Sequence, residues 1–270
     1  MNAPVSPPLH AKGGLHRGRS GPVVRFFRWF ARRKLRGAMD GVYVRGLDTL
    51  RAAMAEGPVI VALNHASWWD ILLIIWLDGL VDADARAVMD ARNLRRLPYF
   101  GMIGAVPLDR QDKAQGWRDL AAIATLLDRP GRLVFIYPQG RHRPTGIRPL
   151  GLKPGVRVLA AQAQVPVLPV SVQYGFRETE KITATVDIGV PLQPPTGGHD
   201  PAWLATLERA LVGGLTAGEA WLDKGHKAQD GGGFAVGIAP TTAAGQDGIA
   251  ARMLGWMVRL VTRRAGGSRG

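Results

Sequence analysis

The chain has 270 residues, enough for one sizeable α/β core with short extensions. It contains no cysteine, which excludes disulfides, thiolate nucleophiles and zinc–thiolate sites. The formal charge of +14 points to a polyanionic surface or substrate, with nucleic acid, anionic lipid and phosphorylated metabolites all open on charge alone.

Residues 1–21 are rich in Pro, Gly, Arg and His and read as a disordered basic tail. They lack a signal-peptide apolar region and cleavage site, so the chain is expected on the cytoplasmic side. Residues 22–37 are predicted to form a helix in which Val23, Phe26, Phe27 and Phe30 recur at helical spacing, with Arg25, Arg28, Arg32 and Arg33 on the other faces. Such a basic, aromatic helix suits an anionic membrane interface. The competing reading is an ordinary helix docked on the domain.

The core is expected over 38–224. Apolar runs predict strands at 42–45, 59–63, 87–89, 105–108, 133–137, 167–173 and 183–188. Helices are predicted between them at 49–55, 67–77, 116–127, 155–164 and 201–215. This alternation argues for one α/β domain with a mostly parallel, mixed central sheet flanked by helices. Residues 225–248 are Gly-, Ala-, Asp- and Thr-rich without periodicity and read as a flexible linker. Residues 249–265 are again amphipathic and basic, so two end helices are expected to grip one membrane surface. The longest dense apolar run, Ile71 to Leu77, falls short of the roughly 18 to 20 residues needed to span a bilayer.

The most informative stretch is Asn64-His-Ala-Ser-Trp-Trp-Asp70, between a predicted buried strand and a predicted buried helix. Ser67 with Asp70 three residues later is a capping-box variant that would start the helix at Ser67. His65 then falls in the turn at the sheet edge, where α/β proteins keep their chemistry. A nearby carboxylate binds one ring nitrogen and leaves the other as a base. On these residues alone, Ser67 and Asp70 as plain caps and His65 as a turn residue is an equal alternative. Trp68 and Trp69, between the pair, are divided between lining a lipid channel and packing in the core.

Four blocks in order across 64–170 resemble the glycerolipid acyltransferase family, which includes 1-acyl-glycerol-3-phosphate and glycerol-3-phosphate acyltransferases. Asn64-His65…Asp70 is similar to its His-x4-Asp motif, and Gly104-Ala-Val-Pro-Leu-Asp109-Arg110 to its block ending in Asp/Asn-Arg. Phe135-Ile-Tyr-Pro138-Gln139-Gly140 stands at its Phe-Pro-Glu-Gly position, and Val165-Pro166-Val167-Leu168-Pro169-Val170 is similar to its apolar Val-Pro strand. The resemblance covers roughly 40–220. It implies a membrane-associated O-acyltransferase that takes a fatty acyl group from acyl-CoA or acyl-carrier protein. The implied acceptor is the hydroxyl of a lysophosphatidate-like lipid, without a cofactor or a metal. His65 would be the general base and Asp70 would orient it. No protein nucleophile is required, consistent with the absence of cysteine and of a Gly-x-Ser-x-Gly elbow.

By the same resemblance Arg110 would hold an acidic headgroup through its guanidinium fork, the alternative being a surface arginine paired with Asp109 or Asp112. Gly140, Gln139, Arg141 and Lys153 are the other expected substrate-binding residues, Lys153 by adding charge at a helix start. The third block departs from the family pattern. Gln139 replaces Glu, Arg141 takes a variable or Thr position, and His142 stands where Arg is common. A non-phosphoglyceride lipid alcohol is therefore an open acceptor, and a non-catalytic lipid-binding protein of the same fold an open class. Nucleic acid is not expected as a partner, because the basic residues sit in helices with large apolar faces.

Overall fold

The structure is a computed structural model that describes residues 19–177, 179–196, 200–224 and 232–239. Of the expected tail only residues 19–21 are described, and Gly21 already opens a helix; the expected helix at 249–265 lies outside the described residues.

Its centre is β2 (Val59–Leu63), every residue of which is buried, as expected of a strand covered on both faces. Flanking it are β5 (Arg132–Ile136) and β6 (Val167–Phe176), both parallel to β2. The sheet extends outward through β3 (Asp84–Asp90) and β4 (Ala105–Leu108) on one side. On the other lie β7 (Ile182–Ile188), β1 (Met39–Arg45) and β8 (Ala235–Ile238). The eight strands run in the order β4-β3-β5-β2-β6-β7-β1-β8. Only β6/β7 and β1/β8 are antiparallel, so the expected mixed, mostly parallel sheet is what forms.

Strand β8 comes from the stretch read as linker. It pairs with the end strand β1, and Ile238 is buried against the core. Four residues are too few to give a periodic signal. Two short helices were also not expected: α4 (Ala91–Arg96) and α5 (Tyr99–Met102). Leu94 is the only buried residue of the first, too little for an apolar pattern.

Helices α2 (Leu47–Glu56) and α3 (Trp69–Val81) cover one face with α1 (Gly21–Ala38). The other face is covered by α6 (Lys113–Ala124), α7 (Gly155–Ala163) and α8 (Pro201–Asp223). Helix α8 approaches β6 and β7 through Gly214 and Gly218. A Cβ at Gly214 would stand 2.5 Å from Ser171 Oγ, so hydrogen at these positions is what lets the helix lie on the strands.

Helix α1 docks, as one of the two readings expected, through Val24, Ala31 and Leu35. Arg28 does not join the surface cations. It donates to the buried Asp78 of α3 at 2.8 Å, to Asp82 at 2.6 Å and to the Ala83 carbonyl at 3.0 Å. The opposite face leaves Phe26, Trp29 and Phe30 exposed beside Arg25, Arg32 and Arg33. Docking and an outward aromatic face are thus properties of the same helix. No helix among the described residues is long and apolar enough to cross a membrane.

Candidate active site

The turn between β2 and α3 is held by backbone-directed hydrogen bonds on both sides. Asn64 accepts from the Val172 amide at 2.7 Å and donates to its carbonyl at 2.9 Å, so its side chain behaves like one more rung of the β2/β6 ladder. The His65 amide donates to Gln139 Oε1 at 2.6 Å, and the His65 carbonyl accepts from the Arg143 amide at 2.7 Å. Helix α3 begins at Trp69, two residues later than predicted. Ser67 is not its N-cap; its hydroxyl accepts only from the Trp69 amide, at 3.3 Å.

Asp70 explains the shift. Its Oδ2 accepts from His65 Nδ1 at 2.7 Å and from the Ala66 and Ser67 amides at 2.8 and 3.0 Å. Its Oδ1 accepts from the Tyr174 hydroxyl at 2.6 Å. The carboxylate is fully buried, and four donors offset what its charge loses in leaving water. Because Asp70 only accepts, His65 Nδ1 carries the proton and Nε2 keeps a lone pair. The imidazole stacks on Tyr137, ring centroids 4.1 Å apart, and meets the tilted His142 ring at 3.9 Å.

The surroundings fix which neighbours stay neutral. Burial, then the Asp70 charge, pushes the Tyr137 and Tyr174 hydroxyls well up, so both remain protonated. Burial, and then His65, lowers the proton affinity of His142 below that of an ordinary histidine. The polar atoms of His65, Asp70 and His142 lie within 4.8 Å of one another, close enough to suggest a metal site. Asp70, however, already accepts four hydrogen bonds, which makes it a poor third ligand.

His65 opens into a cavity of about 720 Å³ between α1, α3, β3, β4 and α6. Its wall is mostly apolar, with Ile71, Ile74 and Ile75 of α3 facing Val88, Met89 and Phe100. The lining also carries Arg110, His142 and Lys153, with Gly140 beside Arg110, and it sets Arg28, Arg86 and Lys113 against Asp78, Asp90 and Asp109.

Asp109 builds the turn that presents Arg110. Its carboxylate accepts from the Gln111 and Asp112 amides at 2.8 and 3.0 Å, which holds its carboxyl below the usual range. Arg110 therefore faces neither Asp109 nor Asp112 as partner. Its nearest carboxylate is Asp90 at 3.6 Å, and its guanidinium lies against Gly140. At Gly140 the left-handed φ of +67° favours glycine, and a Cβ would stand 3.4 Å from Arg110. Lys153 lies just before α7, its amide donating to the Pro138 carbonyl at 2.8 Å.

Two expected substrate-binding residues are placed differently. Gln139 is buried, and its amide spans the His65 amide and the Leu150 carbonyl, the latter at 3.2 Å. It braces two backbones and is outside the cavity lining. The Leu150 carbonyl also accepts from Arg143 Nη1 at 2.8 Å, so Gln139 shares that acceptor with an arginine. Arg141 is exposed and also outside the lining. Trp68 lines the cavity and is largely exposed, whereas Trp69 packs against the core. The sequence reading missed Tyr174 and Tyr137. Tyr174 lies 104 positions from Asp70 on another strand, beyond the reach of any local pattern.

An acyltransferase family model matches residues 41–173. Human 1-acyl-sn-glycerol-3-phosphate acyltransferase beta is 28% identical over 218 residues, 73% of this chain and 72% of that protein. Residues 41–173 form an acyltransferase domain, and these likenesses support the glycerolipid acyltransferase family. A putative 1-acyl-sn-glycerol-3-phosphate acyltransferase of Caenorhabditis elegans is 30% identical to this acyltransferase over 122 residues, 43% of this chain and 40% of its own length. The crystal structure of the 1-acyl-sn-glycerophosphate acyltransferase PlsC from Thermotoga maritima shares the fold. Its TM-score is 0.53 at 20% identity, covering 72% of this acyltransferase and 78% of the Thermotoga chain.

Proposed function

We propose that this acyltransferase works at a membrane surface, moving a fatty acyl group from a thioester of coenzyme A or acyl-carrier protein to the hydroxyl of a lysophosphatidate-like acceptor. One observation carries the reading. His65, held by Asp70, lines a cavity whose mostly apolar wall also carries Arg110 and Lys153, a combination that suits an acyl chain with an acidic headgroup.

His65 Nε2 accepts the hydroxyl proton as the oxygen bonds to the thioester carbonyl carbon. The tetrahedral intermediate collapses with loss of the C–S bond, and the imidazolium returns its proton to the thiolate. Ester and free thiol are the products. Asp70 holds the ring and stabilises the imidazolium, with Tyr174 and two backbone amides keeping Asp70 in place. Arg110 and Lys153 hold the headgroup, and the apolar wall takes the chain. The Phe26, Trp29 and Phe30 face of α1, ringed by arginines, rests on the cytoplasmic leaflet.

A second acceptor class is favoured by the third block. Gln139 and Arg141 are both outside the lining, and His142 there carries no fixed charge, which suits a lipid alcohol with a different headgroup. Labelled acyl-CoA or acyl-carrier protein, offered with a panel of lyso-lipids and lipid alcohols on liposomes, separates the two. Transfer to lysophosphatidate that disappears in His65→Ala supports the first. Transfer only to a non-phosphate alcohol supports the second. Transfer that survives His65→Ala refutes the mechanism.

A further inference from the structure

We propose that the α4–α5 segment, residues 91–102, forms with α1 one continuous docking surface for an anionic bilayer; this rests on the membrane reading above and extends it to a second element. Leu94 alone anchors α4 in the core, fully buried. Around it Arg92, Arg95, Arg96, Leu97 and Tyr99 are all exposed, and residues 91–102 contain no acid. Helix α1 contains none either.

The two elements are joined rather than merely close. The Ser20 amide donates to the Met102 carbonyl at 2.9 Å, and the Tyr99 ring stacks on Phe27 at 6.1 Å with an interplanar angle of 9°. Phe27 in turn contacts Phe26 at 5.5 Å and Phe30 at 6.4 Å. A run of ring contacts therefore joins α5 to the outward face of α1, and both the α4–α5 segment and α1 carry exposed arginines, Arg92 among them paired with Asp90.

Charge and shape select the occupant. A second copy of a chain with formal charge +14 would be repelled. A nucleic acid would engage the guanidinium groups but leave exposed Leu97, Phe26 and Trp29 without partners. An anionic bilayer satisfies both, taking rings and Leu97 at the headgroup–acyl boundary and arginines at the phosphates. The same segment contributes Asn93 and Phe100 to the cavity wall, and Phe27 lines it from α1. Docking on this surface sets the cavity beside the lipid that supplies its acceptor.

The test compares the full chain with Arg95→Gln/Arg96→Gln and with Leu97→Ser, none of which lines the cavity. Binding is measured by sedimentation with phosphatidylcholine vesicles, with and without phosphatidylglycerol. Activity is measured on a vesicle-borne acceptor and on a water-soluble short-chain one. Each arginine near an anionic surface contributes roughly fivefold, so the double variant is expected to bind about 25-fold more weakly to anionic vesicles. It should lose activity on the vesicle-borne acceptor in parallel and keep it on the soluble one. Leu97→Ser should weaken binding several-fold without changing its salt dependence. Vesicle binding by both variants within about twofold of wild type, with Phe26→Ser/Trp29→Ser abolishing it, would overturn the proposal in favour of α1 alone. If wild type transfers to neither acceptor yet the double variant still loses vesicle binding, the docking surface stands and the acyl-transfer reading fails.

Discussion

Replacing Asp70 by asparagine removes a charge while leaving most of the geometry in place. With the asparagine oxygen at the Oδ2 position, His65 Nδ1 and the Ala66 and Ser67 amides still find an acceptor. The new NH₂ meets the Tyr174 hydroxyl, which can rotate to accept from it. With those hydrogen bonds kept, stability should change by less than about 1 kcal/mol. The transition state loses much more. The imidazolium formed as His65 takes the hydroxyl proton no longer faces an anion 2.7 Å away. A carboxylate in this role is worth about 10³- to 10⁴-fold, or roughly 4 to 5.5 kcal/mol of barrier. The assay is thiol release from acyl-CoA with acceptor present, alongside thermal unfolding of the same preparation. A folded Asp70→Asn enzyme within tenfold of wild-type kcat/KM would refute the assignment of Asp70 as the orienting, charge-stabilising partner.

Tyr174→Phe takes away only one of four donors to Asp70, so kcat is expected to fall about tenfold while KM for the acceptor holds, because Tyr174 does not line the cavity; a change in KM alone would contradict a positioning role. Asp84 sits among Arg19, Arg86, Arg129 and Arg132. Burial opposes its charge, but the guanidinium groups of Arg129, Arg86 and Arg132 win and hold its carboxyl well below the usual carboxylate range. Its contribution is thus fully present above the ordinary carboxylate value and lost as pH falls through the lower folded one. Asp84→Asn, which leaves the buried Arg132 short of its anion, should cost roughly 2 kcal/mol at neutral pH and flatten the acid limb of a denaturant-midpoint profile. His142 has the opposite balance: folding lowers its proton affinity, so the unfolded chain binds the extra proton and stability drains away as pH falls below 6.5. His142→Gln should remove that part of the slope; an unchanged midpoint profile between pH 5 and 7 would contradict the burial argument.

Features that depend on neighbours along the chain were legible before folding. The uniformly apolar run 59–63 specifies a strand covered on both faces, and its alternation with helices specifies the mixed sheet. His65 and Asp70, five apart across a turn, specify which two groups meet. Arg110, Gly140 and Lys153, read from the sequence as substrate-binding, line the cavity because the turns and helix starts that present them are local. Other features emerge only once the chain is folded, because hydrogen-bond satisfaction in a buried site recruits whichever group lies nearest in space. Tyr174 reaches Asp70 from another strand, Gln139 is drawn inward to the His65 amide and the Leu150 carbonyl, and Arg28 is taken from the surface by a buried aspartate. A four-residue strand such as β8 carries too few residues for a pattern, and exists only because β1 offers an open edge.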